Sequence, residues 1–260
     1  MKILAIDTSG QQAGAAIVDK YITIGEIMIN AQSGPKTWHH SEILMPAVER
    51  LFDLSGQELA DMDYVAYTAG PGSFTGIRIG AATALGLAKS IDKPAVAVPT
   101  LDALAYNVLC MMPHDALVVP LMDARRGQVY TSIYRAGQSG ELARITDYFA
   151  APVDEALKRV GEYCGTTVIF LGDGADAYKT EILTAYPAAI FAPANSNRQR
   201  PSSVGLWAIR QFASALSKNN STYIDSTGNP TTHPELIYIR DPQAVRNNPQ
   251  LKAASQKVKL

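Results

Sequence analysis

The sequence predicts an α/β fold made of two β-β-β-α-β-α lobes, and three observations carry that expectation. Short apolar runs of strand length alternate with longer stretches of helical spacing. The order of these runs restarts after Met112-Pro113-His114, as an internal repeat would. Asp7 and Asp123 take equivalent places, each closing an apolar run and opening a tight turn.

The elements follow in order. Lys2 to Asp7, Gly14 to Asp19 and Tyr21 to Ile29 read as three short strands separated by Ser9-Gly10 and Asp19-Lys20. From Ser41, a candidate cap, the spacing turns helical: Ile43, Leu44, Ala47, Val48, Leu51 and Leu54 share a face, with Gly56 as the stop. A strand at Asp63 to Thr68 leads into the glycine-rich turn 70–76 and a helix to about Ser90 with Ser73 as N-cap. Lys93 to Val98 is a strand, and Thr100 caps a helix reaching Cys110. The second half opens with strands Ala116 to Met122, Gln128 to Arg135 and Glu141 to Ala150. A helix at Val153 to Val160, a strand at Thr167 to Leu171, a helix at Asp176 to Ala185 and an amphipathic helix from Ser202 to Leu216 follow. The expected units are therefore a lobe over 1–112, a lobe over 113–220 and a polar tail over 221–260 that carries one docked segment near 234–240.

The 260 residues, 47% hydrophobic and 18% charged, exclude a disordered chain, a fibrous repeat and a disulfide scaffold. A net charge of −1 provides no global basic field to drive nucleic-acid binding. Cys110 and Cys164 lack C-x-x-C spacing, which fits free thiols in a reducing compartment, so the cytoplasm is the expected location. No apolar run approaches the roughly 18 residues of a membrane span. His39 and His40 point about 100° apart on a helix, and His114 and His233 stand alone, so no metal site is expected.

The densest signal is Gly70-Pro71-Gly72-Ser73-Phe74-Thr75-Gly76-Ile77-Arg78-Ile79-Gly80. It meets neither the P-loop nor the G-x-S-x-G template. The small residues Gly76, Gly80, Ala84 and Ala88 recur every four positions and leave one helix flank nearly flat, suited to close packing within the chain or against a partner.

Two such lobes facing across a cleft describe the actin, Hsp70 and sugar-kinase (ASKHA) architecture, whose turns after each lobe's first strand grip nucleotide phosphates. Asp7-Thr8-Ser9-Gly10 suits the first turn. The second, Asp123-Ala124-Arg125-Arg126-Gly127, places two bulky cations where small residues are wanted, which makes Asp7, Thr8, Ser9, Asp123 and Arg126 the remnant of a nucleotide cleft.

Beyond these readings the chain resembles the bacterial TsaB (YeaZ) family up to about residue 240. The resemblance is carried by Ile3 to Ser9, His40-Ser41-Glu42 with Leu44-Met45-Pro46, the 70–80 segment, Met122 to Tyr130 and Tyr238-Ile239-Arg240. It implies a non-catalytic helper of TsaD in threonylcarbamoylation of adenosine 37 of tRNA (t6A synthesis). The helper has no activity alone and is required in the complex. In TsaD, a His-x-x-x-His metal pair follows the first lobe's last strand. The corresponding residues here are Thr100-Leu101-Asp102-Ala103-Leu104, so both histidine places are empty.

The resemblance further implies TsaD as heterodimer partner, TsaE and tRNA joined through the complex, and a homodimer when TsaD is absent. ATP is used by the pathway, with no cofactor held by this chain and no membrane association. Leu44, Ala47, Val48, Leu51, Gly76, Ile77, Gly80, Ala84 and Ala88 are the expected partner interface. An ASKHA-type enzyme with its own ATP site is the alternative, followed by an M22-like peptidase.

Overall fold

The structure, a computed structural model, describes residues 1–31, 38–109, 112–138, 141–163, 167–216 and 222–239, without the side chains of 213–216. Both cysteines lie outside these residues. The first half runs β1 (Lys2–Asp7), β2 (Gln12–Asp19), β3 (Thr23–Asn30), α1 (His40–Ser55), β4 (Tyr64–Gly70), α2 (Phe74–Ser90), β5 (Ala95–Pro99) and α3 (Thr100–Tyr106). The second runs β6 (Leu117–Asp123), β7 (Gln128–Thr131), β8 (Tyr134–Ala136), β9 (Leu142–Arg144), β10 (Phe149–Pro152), α4 (Val153–Gly161), β11 (Val168–Leu171), α5 (Asp173–Ala177), α6 (Lys179–Ala185), β12 (Ile190–Phe191) and α7 (Pro201–Leu216). Two short strands, β13 (Tyr223–Ile224) and β14 (Pro230–Thr231), close the order.

The duplication is written in the sheets. The first has the order β3-β2-β1-β4-β5-β13-β14, and the second runs β10-β7-β6-β11-β12 with the β8–β9 hairpin attached to β6. In each, the opening strand has an antiparallel meander of two strands on one side and two parallel strands on the other, and in the first sheet β13 adds parallel to β5. Asp7 and Asp123 both end that opening strand. Strands covered on both faces read as unbroken apolar runs, as in Ala95–Pro99 and Val168–Leu171.

Between the sheets lie α3 and α7. One core joins Ile3, Ala5, Val18 and Val98 of the first sheet to Leu101 and Leu104 of α3, Val118, Tyr134 and Leu171 of the second sheet, and Val204, Trp207 and Phe212 of α7. Thus α7, expected to close the second lobe, lies across β1 and β2 of the first, with Gly205 against Ala5 and Val18. Glu26 of β3 accepts from the backbone N–H and hydroxyl of Ser202 and pairs with Arg200, tying down the helix start. Burial of Val204, Trp207 and Phe212, at roughly 2 kcal/mol each, outweighs that partly exposed tie and sets the helix position.

Other differences have local causes. The expected strand 128–135 breaks because Ser132 and Ile133 leave the ladder to bond Thr146, so β8 and β9 form a side hairpin and β10 takes the third place. The expected helix 176–185 breaks at Tyr178, whose hydroxyl donates to Asp123 Oδ1 at 3.3 Å. Pro99, not Thr100, is the N-cap of α3, and Thr100 Oγ1 is buried without a partner. At α1 the cap is His39, with its N–H bonded to Glu42 Oε2, rather than Ser41. Ser73 does cap α2, its hydroxyl accepting from Gly76 N–H.

Candidate functional site

The flat flank of α2 is consumed inside the molecule. A Cβ on Gly76 would strike the Thr8 carbonyl oxygen and one on Gly80 the Thr8 hydroxyl, so the helix lies directly on the β1–β2 turn. Thr8 Oγ1 completes that contact by donating to Gly76 O at 2.7 Å. Ile77, Ala84 and Ala88 are likewise buried, as are Leu44, Ala47, Val48 and Leu51 of α1. The nine residues expected to meet a partner are therefore the floor on which α1 and α2 rest against their own sheet. Spacing alone carried no sign of which layer the flank would meet. Among the residues that α1 and α2 turn outward, the apolar and small ones are a different set, which includes Met45, Pro46 and Leu54 of α1 and Ala82 and Gly86 of α2, with Ile79 and Leu85 half-buried beside them.

A cavity of about 670 Å³ opens between the lobes. Its first-lobe wall is built by Ser9, Gly10 and Gln11 of the β1–β2 turn and by the starts of α1 and α2. The opposite wall holds Met122 to Arg125, Tyr130 and Asp173. Of the five residues expected to mark a nucleotide cleft, Ser9 and Asp123 line this cavity, Asp7 and Thr8 lie buried beneath Ser9, and Arg126 stands exposed on the facing turn.

Asp7 is the most perturbed acid of the site. Burial pushes its carboxyl up to about 6, against the opposing hydrogen bonds of the Ser9 N–H, the Ser9 hydroxyl and the Thr68 hydroxyl. All three donors reach Oδ1, and Oδ2 is buried with no partner. Asp173 is also raised by burial, while the Asp123 N–H donates to it at 3.1 Å. His40, at the start of α1, is lowered by burial, and it donates to the Gln11 carbonyl.

The facing turn is strained and fully braced. Arg125 and Arg126 sit at φ 66° and 58°, a left-handed conformation costing a non-glycine residue of order 1 kcal/mol, ahead of Gly127 at 70°. Asp123 Oδ1 accepts from Arg125 N–H at 2.8 Å, Tyr178 bonds both Asp123 and Gly127, and Gly127 O accepts from Val153 N–H.

Two further pieces complete the cleft. Glu235–Ile239 lies across the glycine-rich turn: Ile237 N–H donates to Ala69 O at 2.7 Å, and its carbonyl crowds Gly70, held at φ 114° where only glycine leaves room. Tyr238 meets Phe74 with ring centroids 5.5 Å apart and accepts from Arg78 Nε at 2.9 Å. The other piece, residues 196–200, is polar enough to read as an ordinary loop, and only the fold shows its role. Its buried Asn197 accepts from Gly172 N–H and donates to Asp176 of the second lobe, while Gln199 abuts Gly10 of the first.

The α3 segment adjoins this core. Leu101 and Leu104 are fully buried in it, and Asp102 accepts from the hydroxyls of Tyr134 at 2.6 Å and Tyr148 at 2.9 Å. Burial raises the Asp102 carboxyl.

The chain is 35% identical over 182 residues to the tRNA threonylcarbamoyladenosine biosynthesis protein TsaB of Bacillus subtilis, a match covering 70% of this chain and 75% of that one. It belongs to the TsaB family. The Escherichia coli TsaB is 34% identical over 54% of this chain and 58% of its own length. A family model described as "TsaD: tRNA N6-adenosine threonylcarbamoyltransferase" also matches this TsaB-family chain over residues 36–247. Among solved structures, a Pseudomonas aeruginosa protein described as similar to peptidase YeaZ superposes with a TM-score of 0.68 at 23% identity, over 92% of this chain and 99% of that one. YeaZ from Pseudomonas aeruginosa superposes with a TM-score of 0.64 at 24% identity, over 80% and 91%. These likenesses place the TsaB fold on the duplicated lobes described above.

Among the described residues, no helix is long and apolar enough to cross a membrane.

Proposed function

We propose that this chain is the non-catalytic scaffold and activator of TsaD in threonylcarbamoylation of adenosine 37 of tRNA. The observation that carries the reading is the state of α3. At the two places where the resemblance puts the metal-binding histidines of TsaD, this chain has Thr100 and Leu104, both fully buried, and between them Leu101 sunk in the interlobe core and Asp102 held by two tyrosine hydroxyls. Such a segment serves packing and offers no side chain to substrate.

The docking face assigned to TsaD is the outer face of α1 and α2: Met45, Pro46, Ile79, Ala82, Leu85 and Gly86. Its residues are small or apolar and lie on two neighbouring helices, so a second helical pair can approach closely. TsaE and tRNA join through that complex, and the same face supports self-association when TsaD is absent. The test is copurification of tagged TsaD with this chain carrying Ala82→Arg. Loss of TsaD with an unchanged melting temperature supports the face, and full retention of TsaD overturns it.

A further inference from the structure

We infer that Arg78 is the anchor for an acidic side chain of the partner that docks on α1 and α2, and that the Glu235–Ile239 segment aims it. The inference rests on the reading that TsaD docks on those helices, and it adds the side chain that recognises the partner and the chemistry it selects.

Position comes first. Arg78, Ala82 and Leu85 stand at i, i+4 and i+7 of α2, a single stripe of the helix. Ala82 and Leu85 belong to the docking face assigned above, so the exposed Arg78 shares that face one turn nearer the start of α2. An approaching helix that covers the small and apolar residues also drives water from the guanidinium beside them, the setting in which an arginine contributes most to an interface.

The guanidinium is held by side-chain contacts. It lies 3.8 Å from the ring centroid of Phe74, four residues earlier on α2, and 5.6 Å from that of Tyr238. Its Nε donates to the Tyr238 hydroxyl at 2.9 Å, and the two rings pack on each other beneath it. Tyr238 is carried by backbone that is itself tied down. Ile237 N–H donates to Ala69 O at 2.7 Å, and the buried Tyr67 hydroxyl donates to Glu235 O at 3.1 Å and accepts from Glu235 N–H at 3.2 Å. An arginine fixed in this way loses little side-chain freedom when a partner arrives.

The third observation is what the cation lacks. Among the described residues Arg78 forms no ion pair and its Nη groups make no hydrogen bond, whereas Arg135, Arg198 and Arg200 each hold an acid. With Nε already engaged, the Nη pair presents a fork that matches both oxygens of a carboxylate. The neighbouring helix selects a side-chain acid over a nucleic-acid backbone. There α1 turns Glu42, Glu49 and Asp53 outward against Arg50, a balance that repels an extended row of phosphates, while a single carboxylate needs only the Arg78 fork.

The experiment is isothermal titration calorimetry of the full chain with purified TsaD at about 0.1 M and about 1 M salt. The parent protein binds TsaD, more tightly at the lower salt. Arg78→Gln weakens binding about ten-fold at the lower salt and less at the higher, with an unchanged melting temperature. Arg78→Lys keeps the charge without the fork and is weakened nearly as much. Tyr238→Phe keeps the rings but removes the acceptor that orients Nε, and weakens binding about three-fold. The inference is overturned if Arg78→Gln or Arg78→Lys binds TsaD as the parent does, or if the loss is equal at both salts. It is also overturned if Arg78→Gln keeps TsaD and loses only tRNA from the assembled complex, which makes the ligand a phosphate. In each of these cases loss of TsaD by Ala82→Arg leaves the docking reading intact, whereas a parent protein that does not bind TsaD overturns both.

Discussion

Replacing Asp7 with asparagine isolates the electrostatic cost built into the cleft. The Asp7 carboxyl is raised from 3.8 to about 6 by burial, so the folded protein holds a proton that the unfolded chain has released between those two values. Stability therefore falls as pH rises through that window: it is highest below about 4 and has lost the full contribution above about 6. The shift of about two pH units corresponds to about 3 kcal/mol, undiminished by solvent because Asp7 is 3% exposed. Asparagine keeps an oxygen for Ser9 and Thr68 and cannot ionise. Urea denaturation of both proteins at a series of pH values, extrapolated linearly to water, reads the difference between them. That difference moves toward the variant by about 3 kcal/mol between pH of about 3.5 and 7. A difference constant to within about 1 kcal/mol, or one moving toward the parent, refutes the burial argument. ATP with magnesium, added at neutral pH, leaves both midpoints unchanged; a rise in the parent alone supports the alternative of an ATP site at Asp7.

Three further outcomes follow from packing. Gly80→Ala drives a methyl into the Thr8 hydroxyl and costs roughly 1–3 kcal/mol, whereas Gly86→Ala, with open space around the added carbon, gains up to about 1 kcal/mol from helix propensity; chemical denaturation separates the two signs. Ala84→Arg places a cation in a fully buried position and abolishes soluble protein, while Ala82→Arg on the outer face leaves the circular dichroism melt of the parent intact. Glu26→Ala removes the partner of Arg200 and Ser202, costs roughly 2 kcal/mol by denaturation, and raises hydrogen exchange at the start of α7. The Glu26 carboxyl is raised by burial but more than offset by the Arg200 and Ser202 hydrogen bonds, so the net pKa is low and the tie persists into mildly acidic solution.

The repeat was legible because it is a matter of order: the apolar runs before Asp7 and Asp123, the turns after them and the returning strands recur in sequence as they do in the sheets. The Ser73 cap and the Gly56 stop were legible for the same local reason. What sequence left open was always a question of which layer meets which. Gly76, Gly80, Ala84 and Ala88 announce a close approach, but the approaching surface is Thr8 and the first sheet, sixty or more residues away in chain or on the far side of a turn. The amphipathic pattern of 202–216 names a buried face without naming β1 and β2 as its seat. The 196–200 segment looks like solvent-exposed loop because its side chains are polar, and Asn197 and Gln199 are buried only through partners on both lobes: Gly172, Asp176 and Gly10. In the candidate site, Asp7 and Asp123 were found from position, whereas the contact of Phe74 with Tyr238 joins two distant stretches and is visible only in the fold.

The proposed role makes this chain a helper of the modification and not its catalyst. Reconstitution of tRNA threonylcarbamoylation with TsaD, TsaE and the enzyme supplying the threonylcarbamoyl-adenylate, with and without this protein, measures it directly. Modification is expected only when this chain and TsaD are both present, and none from this chain when TsaD is left out. Full modification without this chain, or turnover by this chain in the absence of TsaD, would contradict the proposed role.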